Sequence, residues 1–226
     1  MDWLTKFPEM DRSGLREFKK VVDNSFTSFS RNYGEGIENF FDPLLSFLVG
    51  FEKLFLNTPW PLTIFAILSI CWLASRSILI VSGTFLSFLL IGYFGMWEDT
   101  MSTLAIILVA TLLCILIGMP IGIAMARSNK VQTLILPILD IMQTIPSFVY
   151  LIPVVMLLGI GKVPGLIAVC IYAIPPIVRL TNLGIRLVDK DVLEAAESFG
   201  ANYWQKLFGI QIPLALPTIF AGVNQT

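Results

Sequence analysis

Apolar positions after residue 56 fall into long runs separated by short polar stretches. The runs occupy 57–75, 78–97, 101–126, 144–161 and 163–178, and a further one opens near 207. A hydrocarbon layer about 30 Å thick needs about 20 apolar residues in a helix, so the pattern predicts five spans and the start of a sixth. Trp60 and Trp97 stand at run ends, where indole rings anchor at headgroup level. The fifth run is short and holds Pro175-Pro176, so the pattern leaves its end open. Residues 131–143 are apolar but contain Pro137 and Asp140, and are read as a helix leading into the fourth span. The expected fold class is all-α, a polytopic helical membrane protein.

The chain before these runs is different. Residues 1–36 mix charges, with Lys19-Lys20 beside Asp11, Glu17 and Asp23, and read as a polar tail with at most partial helix. Met1-Asp2-Trp3-Leu4-Thr5-Lys6 lacks the basic start and apolar core of a cleaved signal peptide. From 37 to 56, Phe and Leu side chains cluster at helical spacing around Glu38, Asp42 and Glu52, which predicts an amphipathic helix. It lies either in the membrane interface or against the protein's own spans. The expected organisation is thus a polar tail (1–36), an interfacial helix (37–56), two accessory spans (57–97) and a core (98–226).

Basic residues set the orientation, because cytoplasmic connections carry the excess of Lys and Arg. Arg76, then Arg127 and Lys130, then Arg179, Arg186, Lys190 and Lys206 fall on alternate connections; the others offer Glu98, Asp99 and Lys162. The basic connections therefore face the cytoplasm, and five crossings place the N-terminus outside.

Composition narrows the function classes. The chain is 56% hydrophobic and 14% charged, with a mean hydropathy of +0.80, more apolar surface than one soluble core hides. A net charge of −1 gives no reason to expect a nucleic-acid partner. There is no His, which removes the commonest general base and zinc ligand, and the intramembrane charge is too sparse for a membrane enzyme. Cys71, Cys114 and Cys170 lie far apart in apolar runs and read as packing residues, so no metal or cofactor site is expected. Gly159-Ile160-Gly161-Lys162 is not a phosphate-binding loop: Met156 stands where Gly is needed and Val163 where Ser or Thr would hold magnesium, leaving a tight turn. Gly118 and Gly122 have small-residue spacing for close helix contact, within the chain or at a dimer seam.

The segment 179–213 is too polar to span. Asp191 followed by Glu194 reads as a helix cap, Gly200 as the left-handed stop, and Tyr203, Trp204, Leu207 and Phe208 as the start of a second helix. By these residues alone the hairpin either docks a partner or joins two spans.

The motif goes further. Glu194-Ala195-Ala196, Gly200, Ile210 and Pro213 closely resemble the EAA loop of ABC importer permeases, EAA-x3-G-x9-I-x-L-P, with Ile212 at the Leu position. The resemblance implies a type I importer permease in a bacterial plasma membrane. Its loop helix would sit in a cleft of a separate ATPase subunit, making Glu194, Ala195, Ala196, Gly200, Ile210 and Pro213 the coupling residues. ATP would be bound by that partner. The stretches from Asp140 to Pro153, Ile174 to Thr181 and Pro217 to Thr226 are similar to the glycine betaine/proline betaine permease family. That similarity implies an extracytoplasmic solute-binding protein and a permease homodimer. Members continue beyond a sixth span, so the chain, ending at Thr226, is expected to be truncated.

Pro146, Pro153, Pro175 and Pro176 interrupt helices in or beside the membrane, which is tolerable where protein or a polar path satisfies the freed backbone groups. Gln143, Thr144, Pro146, Phe148 and Tyr150 are therefore the candidate path residues, and aromatic faces suit a quaternary ammonium solute. Asp140 is read as a structural pair with Arg127 or Arg179 rather than as a solute group. A secondary transporter would need internal repeats and buried ionisable pairs, neither of which is evident. A permease for another small polar solute, such as an amino acid, is the other alternative.

Overall fold

The structure is a computed structural model and describes residues 11–226; the first ten residues of the expected tail, including the Met1–Lys6 reading, lie outside the described residues. α1 (Arg12–Asn57) is one continuous helix of 46 residues, where a poorly helical tail and a separate helix from 37 were expected. The reason is an apolar stripe. Leu15, Phe18, Val22, Phe26, Phe29, Tyr33, Ile37, Phe40, Leu44, Leu48, Phe51 and Phe55 recur at steps of three, four and four residues. That repeat closes at 3.67 residues per turn, near the α-helix's own period, so one straight face stays apolar along the full length. The stripe carries the helix through Gly34 and Gly36, which weaken a helix by about 1 kcal/mol each.

Thr58, extended because Pro59 follows, ends α1, and the chain bends by 104° into α2 (Trp60–Ser75). Arg76, at φ 51, turns it into α3 (Ile78–Tyr93). Both helices have 16 residues, shorter than the expected runs of 57–75 and 78–97.

α4 (Trp97–Arg127), α7 (Lys162–Arg186) and the stretch Tyr203–Gln225 are each long and apolar enough to cross a membrane; counting each bent pair as one span raises the number to five. The bent pairs are α1–α2 and α5 (Asn129–Thr144) with α6 (Ser147–Leu158), the latter at 90°. The expected continuous span over 144–161 is therefore a broken one. Pro146 forces Ile145 to φ −79, ψ 128, outside the helical region. α7, in contrast, passes through Pro175-Pro176 and ends only at Arg186, beyond the expected 178. Pro175 and Ile177 are fully buried, and the packing of α4 and α10 (Ile212–Gln225) on either side holds that segment helical despite its missing N–H groups.

Glycines draw the core together. A Cβ on Gly122 would stand 2.6 Å from Thr181 Cβ and 2.8 Å from the Val178 carbonyl oxygen, and one on Gly118 would overlap Ile177 Cγ2. The small-residue pair is thus a seam between α4 and α7 of the same chain. Gly118 meets Ile177, Gly122 meets Thr181, so the two helices run parallel. α10 returns antiparallel, with Gly184 against Ala215 and Thr218, and Gly222 against Ile177 and Leu180. Cys114 and Cys170 face each other across the α4–α7 seam as free thiols.

This arrangement gives the bundle two distinct ends. At one, Arg186 donates to Asn129 Oδ1 (2.8 Å), the Met125 carbonyl (2.7 Å) and Asn182 Oδ1 (2.9 Å), tying the ends of α4 and α7 to the start of α5. At the other, Glu52 of α1 accepts from Ser102 (2.7 Å) and pairs with Lys162, joining α1 to the starts of α4 and α7. The connections after α4 and α7 share the first end, the one where basic residues collect.

Candidate functional site

At that basic end the chain makes a helical hairpin. Its first arm, α8 (Lys190–Ser198), is capped by Asp189, whose carboxylate accepts from the Asp191 N–H at 2.9 Å. The cap is thus two residues earlier than the expected Asp191. Asp191 instead lies in the first turn, where a carboxylate still favours the positive helix end. The arm ends as expected. Gly200 adopts φ +79, and the N–H groups of Phe199, Gly200 and Ala201 donate back to Ala195, Glu197 and Ala196 at 2.9–3.1 Å.

The second arm begins at once. Asn202 and Gln205 form a reciprocal capping box (2.9 and 2.8 Å) for α9 (Tyr203–Lys206), and Lys206 pairs with Glu197 to brace one arm on the other. A π-helical turn, Leu207–Gln211, then leads into α10. Pro213 would clash with the Gly209 carbonyl in a regular helix, and the widened turn accommodates it. Ile210 and Pro213 therefore stand where the hairpin joins the bundle, while Glu194, Ala195, Ala196 and Gly200 stand in or just after the projecting arm. The loop is narrower than the expected 179–213, because 179–186 belong to α7.

The hairpin presents apolar surface outward: Val192, Phe199 (92% exposed), Trp204 and Phe208 are all uncovered. Trp204 stacks on Phe208 at 5.8 Å and 14°. Arg127, at the end of α4, lies 4.0 Å from the Tyr203 ring centre and 5.4 Å from that of Trp204. Nothing in the sequence marks this contact, because its partners are in different helices and no motif links them.

The candidate path residues gather at the α5–α6 break. Gln143, Thr144, Pro146 and Phe148 are exposed there. Tyr150 turns inward instead: its hydroxyl is 2.5 Å from the Met142 carbonyl and 2.7 Å from that of Ile145, so it satisfies backbone acceptors that the break frees. Phe148 and Tyr172 line a groove of about 370 Å³ between α6 and α7. A larger space of about 660 Å³, bounded by Trp60, Phe88 and Trp97, lies by the α1–α2 bend, away from this break. Asp140 pairs with Arg179 at 2.5 Å, one of the two partners expected, while Arg127 is engaged at the hairpin. At the opposite end of the bundle, the Lys162 ammonium and then the Ser102 hydroxyl hold the Glu52 carboxyl below its ordinary range against the effect of burial. Among the described residues no cluster of His, Cys, Asp or Glu is placed to hold a metal.

Several known proteins resemble the chain. The family described as "binding-protein-dependent transport system inner membrane component" matches residues 118–224. The glycine betaine/proline betaine transport system permease protein ProW of Escherichia coli is 50% identical over 184 residues, 81% of this chain and 52% of that protein. The glycine betaine transport system permease protein OpuAB of Bacillus subtilis is 39% identical over 226 residues, 100% of this chain and 77% of that protein. The glycine betaine/carnitine transport permease protein GbuB of Listeria monocytogenes is 41% identical over 196 residues, 84% and 70% of the two. The chain thus spans about half the length of the Escherichia coli relative and about three quarters of the Bacillus subtilis one.

Proposed function

From the premise that this multi-pass membrane protein belongs to the family of binding-protein-dependent transport system inner membrane components, among the betaine permeases, we propose that it is the membrane-spanning subunit of an ATP-driven importer. Its solute is glycine betaine, proline betaine or a related compatible solute. The hairpin α8–α9 is the dock for a separate ATPase subunit, with Glu194, Ala195, Ala196 and Gly200 in the cleft and Ile210 and Pro213 where motion enters α10. The observation that carries this reading is the hairpin itself. It is doubly capped, closed by Gly200 at φ +79, braced by Lys206–Glu197 and open to contact along Val192, Phe199, Trp204 and Phe208.

The arrangement supports coupling by plain energetics. A ligand moves a two-state equilibrium only through contacts that differ between the states. A capped arm of fixed shape converts closure of a surrounding cleft into displacement of α10, whereas a floppy loop would absorb it. The permease supplies position, and the partner supplies hydrolysis. The hairpin end is cytoplasmic and the Glu52 end faces a solute-binding protein; α1 lies in the outer interface. A second copy of the permease completes the path, which runs along the exposed side of the α5–α6 break past Gln143, Thr144, Pro146 and Phe148. The aromatic faces of Phe148 and Tyr172 suit a quaternary ammonium group through cation–π attraction.

Reconstitution with the ATPase and binding protein in vesicles tests this. Gly200→Val places a β-branched residue at a positive φ, and nothing lies within 4 Å of its Cβ, so its effect is confined to the turn. The variant is expected to reach the membrane and to lose glycine betaine uptake while ATP hydrolysis continues. Full uptake by this variant, or uptake driven by an ion gradient without ATP, overturns the reading.

A further inference from the structure

We infer that Arg127 is the positioning residue that carries movement of the hairpin into α4, and through α4 to the broken helix pair α5–α6. This rests on the reading of the hairpin as the ATPase dock and names a second route by which its motion leaves it, besides direct continuity with α10.

The contact is specific in its chemistry. Arg127 is the last residue of α4, and its guanidinium lies over the face of Tyr203, 4.0 Å from the ring centre, with Trp204 5.4 Å away. A planar cation stacks on an aromatic face in a way a point charge does not reproduce. Among the described residues Arg127 makes no ion pair within 4.0 Å, so the rings are what hold it. Trp204 is itself stacked on Phe208. Displacing the second arm therefore drags a rigid aromatic block to which the end of α4 is attached.

The attachment matters because of the corner beside it. Ser128 is extended (φ −141, ψ 119) and caps α5 by accepting from Val131 N–H. The end of α4 and the start of α5 are also held to α7 by Arg186, through the Met125 carbonyl and Asn129. Arg186 thus fixes the corner to α7 while Arg127 connects it to the hairpin. A force on Arg127 levers α5 about that corner, and α5 ends at the 90° break beside the Phe148–Tyr172 groove. Gly122, seated against Thr181, leaves α4 little freedom to absorb the movement by sliding on α7.

The test uses the permease assembled with its ATPase and binding protein in vesicles, measuring ATP hydrolysis and glycine betaine uptake on the same preparation. Arg127→Met, which keeps length and removes charge, is expected to assemble with the ATPase yet lower solute moved per ATP by about fivefold or more, the lower range of an ordinary coupling energy. Arg127→Lys retains part of the coupling and Tyr203→Phe retains most, since the ring face remains. Tyr203→Leu matches Arg127→Met, and the double variant is no worse than either alone, because both remove one interaction. A wild-type ratio in Arg127→Met, or additive losses in the double variant, overturns the inference. Where Arg127→Met does not reach the membrane, the comparison of Tyr203→Leu with Tyr203→Phe decides: equal ratios sink it. Loss in Gly200→Val with no loss in Arg127→Met defeats this inference alone, while full uptake in Gly200→Val defeats the dock itself.

Discussion

Single residues in this protein act by how little space they leave. Gly118 and Gly122 occupy equivalent places on α4 one turn apart, yet their surroundings differ. A Cβ at 118 overlaps the Cγ2 branch methyl of the fully buried Ile177, which clears only if that helical β-branched side chain leaves its preferred rotamer. A Cβ at 122 meets the Val178 carbonyl oxygen at 2.8 Å and the Cβ of Thr181 at 2.6 Å, neither of which moves without the α7 backbone. Overpacking a close seam costs about 1–3 kcal/mol. Gly118→Ala and Gly122→Ala are therefore each expected to lower the melting temperature of the detergent-solubilised protein. An unchanged melting temperature in either variant would mean that the seam opens to admit the methyl group. Gly200 depends on conformation rather than space, since its Cβ position is empty and only its φ of +79 excludes other side chains.

At the scale of elements, the parts legible in the sequence are those whose causes are local. The glycine stop, the start of α9 and the apolar length of α4 all depend on neighbours in the chain, and they are found as expected. The misplacements have non-local causes. α7 continues through Pro175-Pro176 because α4 and α10 enclose it, and Asp189 takes the cap because the chain leaves α7 three residues before it. The apolar stripe of α1 is readable at an eleven-residue period, but Gly34, Gly36 and the mixed charges disguise it. The 90° break between α5 and α6 follows from Pro146, and the Tyr150 hydroxyl joins the two helices across it. Tyr150→Phe keeps the ring and leaves the half-buried Met142 and Ile145 carbonyls without that donor, a loss of about 1 kcal/mol. Faster hydrogen exchange at the α5–α6 junction is the expected signature, with the α4–α7 seam unchanged. An unaltered junction would mean that Pro146 alone sets the bend.

For the whole molecule, the question is what keeps α1 on the bundle. Leu48 is fully buried against Val109, Ala110 and Leu166, and one turn later Glu52 reaches Ser102 and Lys162, 50 and 110 residues away. These contacts join the first half of α4 and the start of α7 to a helix that otherwise presents much of its apolar stripe outward, including Phe18, Phe29, Tyr33 and Phe40. The Glu52 carboxyl is held below its ordinary value of 4.5, first by Lys162 and then by Ser102. A carboxyl depressed in the folded state stabilises above its unfolded value, and that contribution disappears as pH falls through the folded one. The attachment is therefore expected to be constant from neutral pH down to 4.5 and to loosen only below it. The two partners are not equivalent when removed. Lys162→Met leaves a 7%-exposed carboxylate without its cation, whereas Glu52→Gln keeps an acceptor for Ser102 and leaves a lysine that water can reach. Lys162→Met should thus release α1 to protease at neutral pH more readily than Glu52→Gln. Acidification below 4.5 should narrow the difference, because protonation removes the stranded charge. Equal protease sensitivity in the two variants at pH 7, or loosening of the wild-type protein well above pH 4.5, would assign the hold on α1 to Leu48 and its neighbours rather than to the ion pair.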